Sequence, residues 1–253
     1  MKLKDYVTLG NLLSGLLAVV ALFHDRFDLA SYLVVAGFGF DALDGLVARL
    51  TRQFNKFGSE LDNLCDMISY SVAPGFLIFY AYYYQAGFPL WFAAAVGFLP
   101  VCVGTVRAAR FNVRRAEFPG FFIGLPRTAF ALFMVSLLNS SLFQDLGRFV
   151  SVWLYAVPTA MVAVISWLMI STYPFVSHHS RRFRGWLRLG VWFFLLSMPV
   201  GFFGGWLLLD DPNLIFDFLL FDQIIYLVLS HLVVPPDERK AVNAYIREWK
   251  AME

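Results

Sequence analysis

The segment Asp41–Asp66 reads DALDGLVARLTRQFNKFGSELDNLCD and carries four aspartates, at 41, 44, 62 and 66. Four carboxylates so close together, with few cations beside them, form an oxygen-only ligand set of the kind hard divalent ions take. Two ions with one shared carboxylate would satisfy all four. Gly45, Ala48 and Gly58 leave room for something bulky to approach the backbone. Arg49, one helical turn after Gly45, can pair with phosphate. Metal, glycine and arginine together suggest chemistry on a nucleotide diphosphate. The alternative for the same residues is a small-residue helix contact with the carboxylates in an ion or proton path.

Two helices must position these groups. Asp41, Asp44, Gly45 and Ala48 fall on one face of the first, and Gly58, Asp62 and Asp66, at i, i+4 and i+8, form a stripe on the second. The link between them is short and basic, so the helices run antiparallel as neighbours and their acidic faces can meet. That link favours a surface-facing phosphate site over a transport site at the bilayer midplane.

The rest of the chain sets the medium. Of its 253 residues 59% are hydrophobic and only 15% charged, against roughly a quarter charged in soluble domains. With a mean hydropathy of +0.65, this composition marks an integral membrane protein. Apolar runs long enough to cross a bilayer predict helical spans near 7–23, 28–48, 61–84, 88–106, 125–143, 150–171, 186–209 and 213–234. With both ends in the cytoplasm, 18 of the 20 Lys and Arg fall on the cytoplasmic side, all but Arg26 and Arg148. This asymmetry is the positive-inside pattern and supports eight spans. No small-residue cleavage site follows the first apolar run, so it reads as a span rather than a removed signal. Cys65 and Cys102 lie in apolar runs, which argues against a disulfide framework. After Pro235-Pro236, Val242, Tyr245, Ile246 and Trp249 form one apolar stripe on a short helix, expected to lie on the membrane surface; a solvated tail is the alternative.

Asp41, Asp44-Gly45, Ala48-Arg49, Gly58, Asp62 and Asp66 match, with every spacing intact, D-x2-D-G-x2-A-R-x8-G-x3-D-x3-D. In this the sequence resembles the CDP-alcohol phosphatidyltransferase family. The resemblance implies an all-α membrane protein with a six-helix catalytic core over residues 1–172; residues 173–253 then hold a basic loop, two further spans and the amphipathic tail. It further implies that Asp41, Asp44, Asp62 and Asp66 bind two divalent cations (Mg²⁺ or Mn²⁺) and that Asp66 is also the general base. Gly45, Ala48, Arg49 and Gly58 would cradle the CDP moiety. A homodimer is usual for the family.

Three further stretches resemble its phosphatidylserine synthase branch: TLGNLLSG with Thr8, Asn11 and Gly15; LDNLCDMISYSVAPG; and RAARFNV followed by GLPRTA. They add Thr8 and Asn11 to the expected CDP-binding set, and Arg107, Arg110 and Asn112 as the acceptor or phosphate site. Arg127 departs from the branch, which often has a small or apolar residue there. The activity implied is transfer of the phosphatidyl group from CDP-diacylglycerol to the hydroxyl of L-serine. Inositol phosphate, glycerol phosphate or choline as acceptor is the alternative, and an ion-coupled transporter a more distant one. The partners expected are these two substrates and membrane lipids, with no nucleic acid. The protein would sit in the cell inner membrane, if bacterial, with its site facing the cytoplasm. Asp217 and Asp222 are expected at the protein interior or the outer interface. His178 and His179 are expected to meet lipid headgroups.

Overall fold

The computed structural model describes residues 2–51, 56–113, 117–118, 120–149, 155–177, 196, 199–205, 207, 211, 213–229 and 236–251. Helices α1 (Leu3–Phe23), α2 (Phe27–Thr51), α3 (Lys56–Gln85) and α4 (Leu90–Val113) come first. Strands β1 (Glu117–Phe118) and β2 (Phe121–Ile123) follow. Next are α5 (Arg127–Asn139), α6 (Ser141–Phe149), α7 (Ala156–Ile170) and strand β3 (Pro174–Val176). Helices α8 (Leu214–Leu229) and α9 (Pro236–Ala251) complete the order.

Among the described residues α1, α3 and α4 are long and apolar enough to cross a membrane, and α5 and α7 are shorter apolar helices. The expected single span over 125–143 is two helices that part at Ser140, whose backbone is extended. Most of the expected span at 186–209 lies outside the described residues, as do His178 and His179. The fold is mostly helical, consistent with the all-α expectation, and β1, β2 and β3 add a small antiparallel sheet. These strands fall in segments read as loops, where two or three residues are too few to show an alternating pattern.

Polarity runs inside out, as a bilayer requires. On α1 the buried residues include Lys4, Asp5, Thr8, Asn11 and Ser14, while Leu13, Leu16, Leu17 and Val20 face outward. Packing is close where side chains are small, the usual device when lipid is as apolar as leucine. A Cβ on Gly75 would stand 2.8 Å from the Gly97 carbonyl oxygen, and one on Gly97 would meet the Gly75 oxygen at 2.8 Å, so α3 and α4 touch backbone to backbone. Helix α5, buried over nearly its whole length, packs against α2, α3, α7 and α8.

Helix α3 has a wide turn at Ile68–Val72, where the Ala73 N–H donates to the Ile68 carbonyl. Its cause is Pro74: the ring has no N–H and would clash with the carbonyl four residues back, so the helix widens instead of breaking. The turn begins two residues after Asp66 and sets Ser69 directly against Gly15, where a Cβ would approach the Ser69 hydroxyl oxygen to 2.7 Å.

The tail helix departs from expectation. Val242, Ile246 and Trp249 are buried, and Val242 and Ile246 pack with Phe121 and Val176 of the sheet. The apolar stripe is covered by protein, not by the membrane surface.

Candidate active site

Asp41 comes from α2 and Asp62 and Asp66 from adjacent turns of α3. One oxygen from each lies within 4.8 Å of the other two. The two helices therefore meet through their acidic faces, as the spacing predicts. Asp44 is buried beside this trio, with the Thr8 hydroxyl donating to its Oδ2. From the same face of α1, Asn11 Nδ2 donates to Asp66 Oδ1 at 3.0 Å. Ser69 Oγ in turn donates to the Asn11 carbonyl oxygen at 2.9 Å, locking α1 to the wide turn of α3. Thr8 and Asn11, expected at the nucleotide, are thus seen orienting carboxylates.

The donor set fits a divalent cation. All of its atoms are carboxylate oxygens, and Asp62 Oδ1 is buried with no hydrogen-bond partner among the described residues. Like charges held so close disfavour one another, and an ion among the three carboxylates would remove that cost.

Gly45, Ala48, Arg49 and Gly58 lie between the carboxylates and the link joining α2 to α3, of which residues 52–55 are outside the described set. A Cβ on Gly45 would meet nothing within 4 Å among the described residues, which leave open space beside the cluster there. Ala48 and Gly58 are buried and Arg49 is exposed.

The three residues expected at the acceptor diverge. Arg107 Nη2 reaches the Gly124 carbonyl at 3.5 Å, and its buried Nε has no partner among the described residues. Asn112 Oδ1 accepts from Asn63 Nδ2 at 2.9 Å, which ties the end of α4 to the acidic helix. Arg110 turns the other way: its Nη1 donates to the Ile170 carbonyl at 2.9 Å, and its guanidinium lies 4.3 Å from the centre of the Trp249 ring.

Two cations complete the electrostatics. Arg127 is buried; its Nη2 donates to Asn63 Oδ1 at 2.6 Å and its Nη1 approaches Met67 Sδ at 3.6 Å. Its charge acts on Asp66, Asp62 and Asp41. Lys4, also buried, acts on Asp44 and Asp62. Neither residue stands out as a site residue in the sequence. A signal for Lys4 existed, since Lys4, Thr8 and Asn11 share one face of α1. Arg127 was visible only as a departure from the branch pattern. Asp217 accepts from the Ser141 N–H at 2.8 Å, at the start of α6 and far along the chain from the acidic segment.

Comparison with known proteins adds three relatives and one family. The family model described as CDP-alcohol phosphatidyltransferase matches residues 1–203. A Helicobacter pylori protein named CDP-diacylglycerol--serine O-phosphatidyltransferase is 37% identical over 129 residues, 51% of this chain and 53% of its own length. A Methanocaldococcus jannaschii protein of the same name is 34% identical over 148 residues, 57% of this chain and 65% of its own. One from Saccharomyces cerevisiae is 35% identical over 143 residues, 50% of this chain and 49% of its own. The alignments span about half to two thirds of the length of these curated relatives.

Proposed function

The chain belongs to the CDP-alcohol phosphatidyltransferase family, and on that premise we propose that it is a CDP-diacylglycerol–serine O-phosphatidyltransferase, making phosphatidylserine and CMP. The observation that carries the reading is the convergence of Asp41, Asp62 and Asp66 from two helices, with open space at Gly45. The choice of serine is supported by the names of the relatives.

Asp41, Asp44, Asp62 and Asp66 would hold two divalent cations, Mg²⁺ or Mn²⁺, both of which suit carboxylate oxygens. When bound, these neutralise charge on the diphosphate and on the departing CMP. Gly45, Ala48, Arg49 and Gly58, with Thr8 and Asn11 behind the carboxylates, form the side that receives the CDP moiety. The lipid tails remain in the bilayer.

Asp66 is the proposed base. Asn11 holds its Oδ1 and thereby fixes the carboxylate's orientation; the second oxygen carries further lone pairs for a proton. It takes the proton of the serine hydroxyl, whose oxygen bonds to the phosphorus attached to diacylglycerol. The bond from that phosphorus to the CMP oxygen breaks, and CMP leaves with the electron pair. No covalent enzyme intermediate is required. The last turn of α4 forms the acceptor side: Arg107 suits a carboxylate or a phosphate, Asn112 lies at its end, and Arg110, whose guanidinium points to Ile170 and Trp249, braces the turn.

The proposed topology has eight spans with both termini cytoplasmic, six of them in the core of residues 1–172 and two in residues 173–253. It is supported by the placement of 18 of the 20 basic residues. The protein is proposed to act as a homodimer in the cell inner membrane, its site open to the cytoplasm.

The test is incubation of purified protein with CDP-diacylglycerol, Mn²⁺ and one labelled acceptor at a time. Serine is expected to enter lipid with release of CMP. Label entering only from inositol phosphate or glycerol phosphate would replace serine as the acceptor. CMP release with none of the acceptors, together with an ion flux lost in Asp62→Asn, would favour a transporter.

A further inference from the structure

Helix α9 lies beyond residues 1–203, the stretch that matches the family model, yet it is packed against the small sheet. Val242 and Ile246 are buried on Phe121 and Val176, and the Tyr245 and Phe118 rings stand 5.5 Å apart. Trp249, one turn further along the same stripe, is also buried. Its ring faces the Arg110 guanidinium at 4.3 Å.

Among the described residues Arg110 is held by the Trp249 ring and by the carbonyl of Ile170 at the end of α7. Two residues on, Asn112 is joined to Asn63, which accepts from Arg127 beside the carboxylates. The last turn of α4 is thus gripped by the tail on one side and by the acidic helix on the other.

We infer that Trp249 is a positioning residue: by stacking on Arg110 it fixes the last turn of α4 and so pre-forms the acceptor side of the site. This rests on the proposed reading of the last turn of α4, with Arg107 and Asn112, as the acceptor side. A loose helix end would have to be ordered when the acceptor binds, which would weaken affinity. Stacking on an aromatic face anchors Arg110, and with it the turn that carries Arg107 and Asn112, beforehand. A tail outside the family match thereby tunes how tightly the acceptor is held, without touching it.

The experiment uses the full chain in lipid nanodiscs, with Trp249→Ala and Trp249→Phe beside the wild type. Hydrogen exchange, which needs no turnover, reads the amides of residues 107–113. Faster exchange there in Trp249→Ala, reversed in Trp249→Phe, is expected; unchanged exchange at 107–113 overturns the inference. Kinetics then vary serine and CDP-diacylglycerol separately. Trp249→Ala is expected to raise the KM for serine about tenfold and to leave that for CDP-diacylglycerol within about twofold, with Trp249→Phe recovering most of the loss. A fall in kcat with both KM values unchanged, and no recovery in Trp249→Phe, would mark Trp249 as merely structural and also overturns it. If Trp249→Ala does not fold, Arg110→Gln breaks the same contact from the other side and is read by exchange over 236–251. A wild-type protein that leaves serine untouched refutes the acceptor reading, while the exchange result still decides whether Trp249 fixes α4.

Discussion

Arg127 donates to Asn63 at 2.6 Å, and Asn63 donates onward to Asn112 at 2.9 Å. A buried cation from the start of α5 is thereby fixed against the acidic helix and linked to the end of α4. Arg127→Met keeps the length of the side chain and removes the charge. CMP release is expected to fall about 10–100-fold in kcat/KM, as when a partner of metal-binding groups is lost. An assay of CMP release over a range of Mn²⁺ concentrations checks this. Activity equal to wild type at every concentration would show that the charge is idle.

Asp66 and Asn11 separate chemistry from orientation. Asp66→Asn removes the proposed base and should lower kcat by at least about 10²–10⁴-fold, the usual contribution of a positioned base. Asn11→Ala leaves the carboxylate in place but frees its Oδ1, and a smaller loss of kcat is expected. Single-turnover measurement with serine compares the two. Equal losses would mean that orientation carries the whole effect.

Two glycines make opposite predictions. At Gly97 a Cβ would meet backbone and side-chain atoms of α3 at 2.8–2.9 Å. Gly97→Ala should destabilise by about 1–3 kcal/mol, the cost of overpacking a tight contact, seen as a lower Tm. At Gly45 a Cβ meets nothing within 4 Å among the described residues. Gly45→Ala should hold or raise Tm, because alanine gains roughly 1 kcal/mol over glycine in a helix. It should nonetheless raise the KM for CDP-diacylglycerol, if the nucleotide fills that space.

Chelation tests the carboxylate cluster. EDTA should abolish CMP release, and Mn²⁺ or Mg²⁺ should restore it. Asp62→Asn should need more metal for half-maximal rate, since the buried Asp62 Oδ1 has no partner among the described residues. A rate indifferent to chelation would remove the metal from the mechanism.

The sequence alone determined which carboxylates could converge and the elements that carry them. Spacing placed Asp62 and Asp66 on one face of a helix and Asp41 on an antiparallel neighbour, because a helix repeats every 3.6 residues whatever surrounds it. Bilayer thickness made the long apolar runs legible as helices for the same kind of reason. Tertiary structure alone decided which side chains meet across elements. Lys4 and Arg127 come from α1 and α5, and nothing local links them to Asp62. Arg110 turns to Trp249, 139 residues away, and the tail's apolar stripe meets a sheet whose strands are too short to announce themselves. Amphipathicity states that a face will be covered; only packing in three dimensions decides whether lipid or protein covers it.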